Sequence, residues 1–203
     1  MCNKGLQAVI TTICLIRHGE TDWNLSGRLQ GSEDIELNHT GRMQAIQLAD
    51  YLKRESWDMI ISSPLKRAYE TAQIIATGLS LPEIKVKDEL KERCYGAASG
   101  LLPEERRRLF SDGTIPGQEE FEKLRKRAME ALDNTVKENA GKRILMVTHG
   151  ALTNSVLYTL SGGQFGSFRT RLKNGCINLL IHAGSNWSVV FYNKTTDELQ
   201  YTS

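Results

Sequence analysis

Five side chains in this sequence, Arg17, His18, Arg67, Glu92 and His149, have the types needed to work on a phosphate ester. A phosphate monoester carries close to two negative charges, which repel an anionic nucleophile but not a neutral imidazole. His18 is the candidate nucleophile because it follows Arg17 directly. The guanidiniums of Arg17 and Arg67 present forked donors to phosphoryl oxygens, where charge spreads in the transition state. His149, once protonated beside a dianion, adds a third donor. The leaving alkoxide needs a proton, and Glu92 is the candidate to give it, since a neighbouring dianion favours a neutral carboxyl while Arg93 opposes it. Help of this kind is worth about 10²–10⁴ in rate. The same carboxylate then activates the water that hydrolyses the phosphohistidine. Asn24 offers an amide donor, and Gln30, Gly31 and Gly150 complete the expected substrate-binding set. The scheme needs no metal, and the chain shows no carboxylate cluster to hold one.

The elements that carry these residues follow from the apolar pattern. Ile13 to Ile16 is a β-type run ending in Arg17-His18-Gly19, where glycine permits a turn or a close approach to a ligand. Arg143 to Thr148 ends the same way, in His149-Gly150, and Trp57 to Ser63 feeds Pro64-Leu65-Lys66-Arg67. In open α/β sheets, ligands sit at such strand ends. The polar stretch from Asn24 to Asn38, with Gly27 and Gly31, is a loop belonging to the same site.

Thr40 is placed to cap a helix through Ala45, Leu48, Ala49 and Leu52. Pro64 suits the first turn of the next helix, which carries Arg67 in that turn and ends at Gly78. Ile84 to Lys87 is a short strand, and the glycine-punctuated Lys91 to Gly100 holds Glu92 on a loop. Pro103 to Phe110 reads as a charged helix whose Arg106, Arg107 and Arg108 form a solvated face. Phe121, Leu124, Ala128, Leu132 and Val136 form the inner stripe of a long helix. Ala151 to Leu160 is the helix after the His149 strand, with its N-terminus turned to the crevice. Cys176 to His182 and Trp187 to Tyr192 are strands joined as a hairpin. Strands alternating with helices give a three-layer α/β/α sandwich, read as a single catalytic domain over residues 1–203.

A net charge of +2 is too small for a nucleic-acid partner, so anion binding must come from local clustering. No apolar stretch is long enough to span a membrane, and the first twelve residues lack the uninterrupted apolar core of a signal peptide. Four scattered cysteines without metal spacing fit free thiols in a cytoplasmic protein.

Leu15-Ile16-Arg17-His18-Gly19-Glu20-Thr21 resembles the signature of the histidine phosphatase superfamily, which includes cofactor-dependent phosphoglycerate mutases and many small phosphatases. Ser62 to Ala72, Leu90 to Gly96 and Val147 to Gly150 resemble its further motifs, in the family's order. The resemblance implies a mixed, mostly parallel central sheet. It also implies His18 as the phosphorylated nucleophile, Glu92 as proton donor, and Arg17, Asn24, Arg67 and His149 as phosphate ligands.

The acid loop is similar to that of the mutases, but the segment from Gly100 to Pro116 is short where those enzymes carry a long, water-excluding insertion. Without such a lid, phosphohistidine hydrolyses. The expectation is therefore a phosphatase of a small phosphorylated metabolite, with no cofactor. A phosphoglycerate mutase, primed by bisphosphoglycerate, and a non-catalytic phosphoester-binding domain are the alternatives. Tyr95 and the region from Gly96 to Phe110 are expected to line the pocket mouth, and Arg169, Arg171 and Lys173 to form a solvated rim.

Overall fold

The computed structural model describes residues 9–200. Residues 1–8, with Cys2 and most of the stretch tested for a signal peptide, lie outside them.

Six strands build one sheet in the order β3-β2-β4-β1-β5-β6. They are β1 (Ile10–Arg17), β2 (Met59–Ser62), β3 (Ile84–Val86), β4 (Arg143–Thr148), β5 (Ile177–Ala183) and β6 (Asn186–Lys194). The first four are mutually parallel, whereas β5 runs antiparallel to β1 and β6 antiparallel to β5. The sheet is thus mixed and mostly parallel, as the resemblance implies.

The parallel strands are apolar without alternation because both of their faces are covered. Ile13, Leu15, Ile61, Ile144 and Met146 point to one side, where they pack with α5 (Phe121–Glu138) and α6 (Gly150–Leu160). Cys14, Ile16, Ile60, Leu145 and Val147 point to the other, onto α2 (His39–Leu52) and α3 (Lys66–Leu79). Two cores separated by a sheet give the three layers. Shorter helices are α1 (Asp22–Ser26), α4 (Pro103–Leu109) and α7 (Thr196–Gln200). No helix among the described residues is long and apolar enough to cross a membrane.

Several boundaries differ from the sequence expectation, each for a local reason. Asn38, not Thr40, caps α2, its side chain accepting the Gly41 N–H at 2.9 Å. Pro64 precedes α3 rather than entering its first turn, because Ser63 Oγ accepts the Leu65 N–H and starts the turn there. Gly78 does not end α3: the helix continues to Leu79, and Ser80 takes the left-handed position (φ 54°). Gly19 approaches a backbone rather than a ligand. A Cβ there would lie 2.3 Å from the Gly41 carbonyl oxygen, so the turn after β1 can press against α2 only with glycine.

Register then sets the site. Arg17 is opposite Thr148, Ser62 opposite both Val147 and Val86, so all four parallel strands end at one level. The residues that follow, His18, Ser63, Lys87 and His149, emerge together along that edge. His18 N donates to Thr148 O at 3.0 Å and Ser63 N to Val147 O at 3.0 Å, which extends the ladder one residue into the crevice.

Candidate active site

At this edge lies a cavity of about 740 Å³ lined by Arg17, His18, Asn24, Gln30, Gly31, Arg67, Glu92 and Gly150 among others. Eight of the nine residues expected at the site therefore share one wall. The ninth, His149, is fully buried and stands behind it, its ring centroid 5.2 Å from that of His18.

The His18 imidazole has a determined orientation. Its Nδ1 lies 2.6 Å from Gly19 O, and a carbonyl can only accept, so Nδ1 carries the proton. Nε2 is left with its lone pair, toward which Arg67 Nε donates at 3.2 Å. Burial, then the charges of Arg67 and Arg17, hold the His18 pKa well below its usual value despite the Gly19 bond. The ring is neutral at physiological pH and sits between two guanidiniums.

Those guanidiniums are fixed by carbonyls, not by acids. Arg67, fully buried at the start of α3, donates Nη1 to Glu33 O (2.6 Å) and Nη2 to Gly31 O (2.8 Å). Burial lowers its pKa to about 10, so it remains charged. Arg17 donates Nη1 to Leu172 O at 2.5 Å, and its Nε is buried without a partner. Neutral acceptors leave the positive charge of both groups uncancelled and available to an anion.

His149 is likewise kept neutral, by burial first and then by Arg67, His18 and Arg17. Its Nε2 lies 2.8 Å from Ser63 Oγ, which also accepts the Leu65 N–H; with the Ser63 hydroxyl donating to Nε2, the ring carries its proton on Nδ1. That Nδ1 is buried and unpartnered.

Asn24 caps α1 with Thr21: its Oδ1 receives Thr21 N (3.2 Å), Thr21 Oγ1 (3.0 Å) and Asn174 Nδ2 (3.0 Å). Three donors on the oxygen fix the amide so that Nδ2 is the atom left for the cavity. Gln30 is mostly buried with an unpartnered Oε1, and Gly31 meets the cavity while its carbonyl holds Arg67.

Glu92 sits on the expected loop and lines the cavity. The N-terminus of α6 meets the crevice at Gly150 and Ala151, as expected, and Glu92 caps it there: Ala151 N donates to Glu92 Oε2 at 3.0 Å, Leu152 N and Arg93 N to Oε1 at 3.1 and 2.9 Å. A carboxylate satisfies the helix end in place of a ligand. Oε1 thus accepts two N–H bonds and Oε2 one. Gly150 lies between Glu92 and Arg17; a Cβ there would be 3.3 Å from Arg17 Nε and 3.8 Å from Glu92 Oε2.

A second layer holds the Glu92 loop. Arg127 of α5 donates to the carbonyls of Glu89 and Lys91 (both 2.8 Å) and Glu92 (3.1 Å), and pairs with Glu119 at 2.7 and 2.9 Å. Burial raises the Glu119 pKa, but the Arg127 bonds outweigh it and bring it below the usual carboxylate value.

Other expectations at the cavity mouth are corrected. Tyr95 lines it, but none of Gly96 to Phe110 does; residues Arg28 and Leu29 and the run Thr170 to Asn174 take that place. Arg171 and Lys173 are exposed at the mouth, as expected of a solvated rim, and line the cavity, while Arg169 does not reach it. Arg107 and Arg108 are solvated as expected, but Arg106 is half-buried. Sequence reasoning missed Ser63, Asn174, Arg127 and Glu119. Ser63 lies inside the motif leading to Arg67, and Asn174-Gly175 is a turn signal immediately before a strand, so both had a local trace.

The arrangement brings two imidazoles, two guanidiniums and a carboxylate to one cavity. The profile of the Histidine phosphatase superfamily (branch 1) matches residues 13–195, and the chain belongs to that family. It is 43% identical over 184 residues to the uncharacterized phosphatase PhoE of Bacillus subtilis (strain 168), covering 91% of this chain and 95% of that one. It is 34% identical over 197 residues to a metal-independent phosphoserine phosphatase of Arabidopsis thaliana, covering 91% of this chain and 82% of the relative. A mutant phosphoserine phosphatase from Entamoeba histolytica, solved in complex with phosphoserine, superposes with a TM-score of 0.79 at 30% identity, covering 93% of this chain and 99% of its own.

Proposed function

We propose that this protein hydrolyses a small phosphate monoester in two steps through a phosphohistidine on His18. The observation that carries the reading is the orientation of His18, with its proton committed to Gly19 O and its lone pair directed to Arg67 and the cavity. In the first step Nε2 attacks phosphorus and the P–O bond to the alcohol breaks. The phosphoryl oxygens are received by Arg17, Arg67, Asn24 Nδ2 and, from behind, His149 Nδ1–H. Glu92 Oε2 passes its proton to the leaving oxygen. In the second step the ionised Glu92 takes a proton from water, which attacks phosphorus and frees His18. Charge is stabilised throughout by fixed side-chain donors, so the scheme asks for no metal. The relatives named as phosphatases, one of them metal-independent, support the hydrolytic reading.

Hydrolysis is favoured over mutase action because nothing between Tyr95 and Gly150 lines the cavity among the described residues, which leaves water free access to a phosphohistidine. The protein would act in the cytoplasm, where the free thiols of Cys14, Cys94 and Cys176 stay reduced. The test is release of inorganic phosphate from para-nitrophenyl phosphate and a panel of small phosphate esters in excess chelator. Turnover that persists in chelator is expected; turnover abolished by chelator and restored by a metal would overturn the metal-free scheme.

A further inference from the structure

The cavity mouth carries more positive charge than the phosphoryl chemistry uses. Three of its cations, Arg28, Arg171 and Lys173, lie outside the reacting centre, and Glu92 is the one carboxylate among the described lining residues. Two of the three are already engaged. Lys173 pairs with Glu198 at 2.6 Å, and Arg28 donates to Gly100 O at 2.7 Å with Glu105 4.0 Å away. No acidic group, carbonyl or ring among the described residues meets the Arg171 guanidinium, although its charge is felt at Arg17 and helps to lower that pKa.

The backbone that presents Arg171 is held by a relay of amides running back to the central strand. Asn193 Nδ2 donates to Arg171 O (3.1 Å) and its Oδ1 accepts Lys173 N (2.8 Å), so one amide brackets Leu172, whose carbonyl holds Arg17. Asn193 takes a left-handed conformation (φ 54°) and donates its own N–H to Asn178 Oδ1 at 2.8 Å. Asn178, fully buried, donates to Leu15 O at 3.1 Å. A buried asparagine and an unfavourable φ persist where the surroundings impose them. Here they fix the backbone from which the one unpartnered cation among the described mouth residues extends.

We propose that Arg171 is a specificity residue that binds a carboxylate on the end of the substrate away from the phosphoryl group, so that the site selects small phosphomonoesters bearing a carboxylate. The proposal rests on the phosphoryl site described above. A planar guanidinium fork matches the two coplanar oxygens of a carboxylate. A second phosphate would bring about two negative charges where Lys173 is paired with Glu198 and the Arg28 donor is held by Gly100 O, which leaves Arg171 as the one free fork among the described lining residues.

The test is calorimetric binding of two non-hydrolysable ligands to the full chain: 3-phosphonopropionate and its neutral twin, 3-phosphonopropionamide. Wild type should bind the acid at least about tenfold more tightly. Arg171→Met should bring that ratio close to one, and Arg171→Lys should keep part of it. A wild-type ratio near one, or a ratio that survives in Arg171→Met, overturns the assignment. Ester hydrolysis by a protein whose ratio is near one would sink this inference alone. Failure to bind either phosphonate, together with failure to hydrolyse any ester, would sink the phosphoryl site and the inference with it.

Discussion

The two parts of the sheet do different work. On the parallel side, β1, β2 and β4 end at one level and deliver His18, Ser63 and His149 directly from strand ends, with Arg67 in the first turn of α3. Every one of those side chains is nearly or wholly buried and tied by short bonds. On the antiparallel side, β5 and β6 supply no reacting group. They carry the Asn178 and Asn193 relay that holds the segment from Arg171 to Asn174, most of whose charge is exposed. The difference teaches that chemistry here is set by strand register, whereas the cavity mouth is set by side chains bonding to distant backbone. A change on the parallel side should stop turnover for every ester; a change at the mouth should alter which ester is preferred.

The sharpest way to break this division is His18→Ala. It removes the proposed nucleophile and should lower kcat by about 10⁴-fold or more on all esters alike, read by phosphate release. An ester spared by that substitution would mean that chemistry and selection are not separated as described. Next, Glu92→Gln should slow esters of poor leaving groups by about 10²–10⁴. Para-nitrophenyl phosphate, whose leaving group needs no proton, should lose far less in that first step. Equal losses on both substrates under pre-steady-state conditions would remove Glu92 from the acid role.

The smallest effect concerns stability. His18 and His149 are neutral in the folded protein at pH values where they would protonate in the unfolded chain, about 6.5 and below. The unfolded state then binds more protons than the folded one, so stability rises with pH in that range. It is full above about pH 6.5 and is lost as pH falls toward the depressed folded values, by up to about 1.4 kcal/mol per pH unit for each ring. Denaturant titrations between pH 7 and 5 should show this slope, and His149→Asn should reduce it. A flat profile would mean that the rings are not held neutral by the parallel side.

What was legible in the sequence follows the same line. Arg17, His18 and His149 could be read because an apolar run ending in a basic residue is a local pattern, and both strand ends and the three layers followed from it. The place of Arg67 could be read because helix phase and the motif agree. The mouth could be read only in part, as Tyr95 and a rim with Arg171 and Lys173. Tyr95 was within reach of the motif, but Arg171 joins the wall only through Asn193 and Asn178, twenty-two and seven residues further along. No periodicity announces such a relay. That the α6 N-terminus faces the crevice could be read, but not what caps it: a helix end attracts any anion, and the carboxylate that fills it comes from a loop 59 residues earlier.

The most direct test of the central claim is to look for the covalent intermediate. Protein mixed rapidly with a phosphate ester, quenched in alkali and digested should yield the peptide containing His18 with one added phosphoryl group. That mark should be stable to base, labile to acid, and absent from His18→Ala. Turnover with no phosphorylated peptide under any quench, or a phosphoryl group on another residue in a protein with intact His18, would contradict the account.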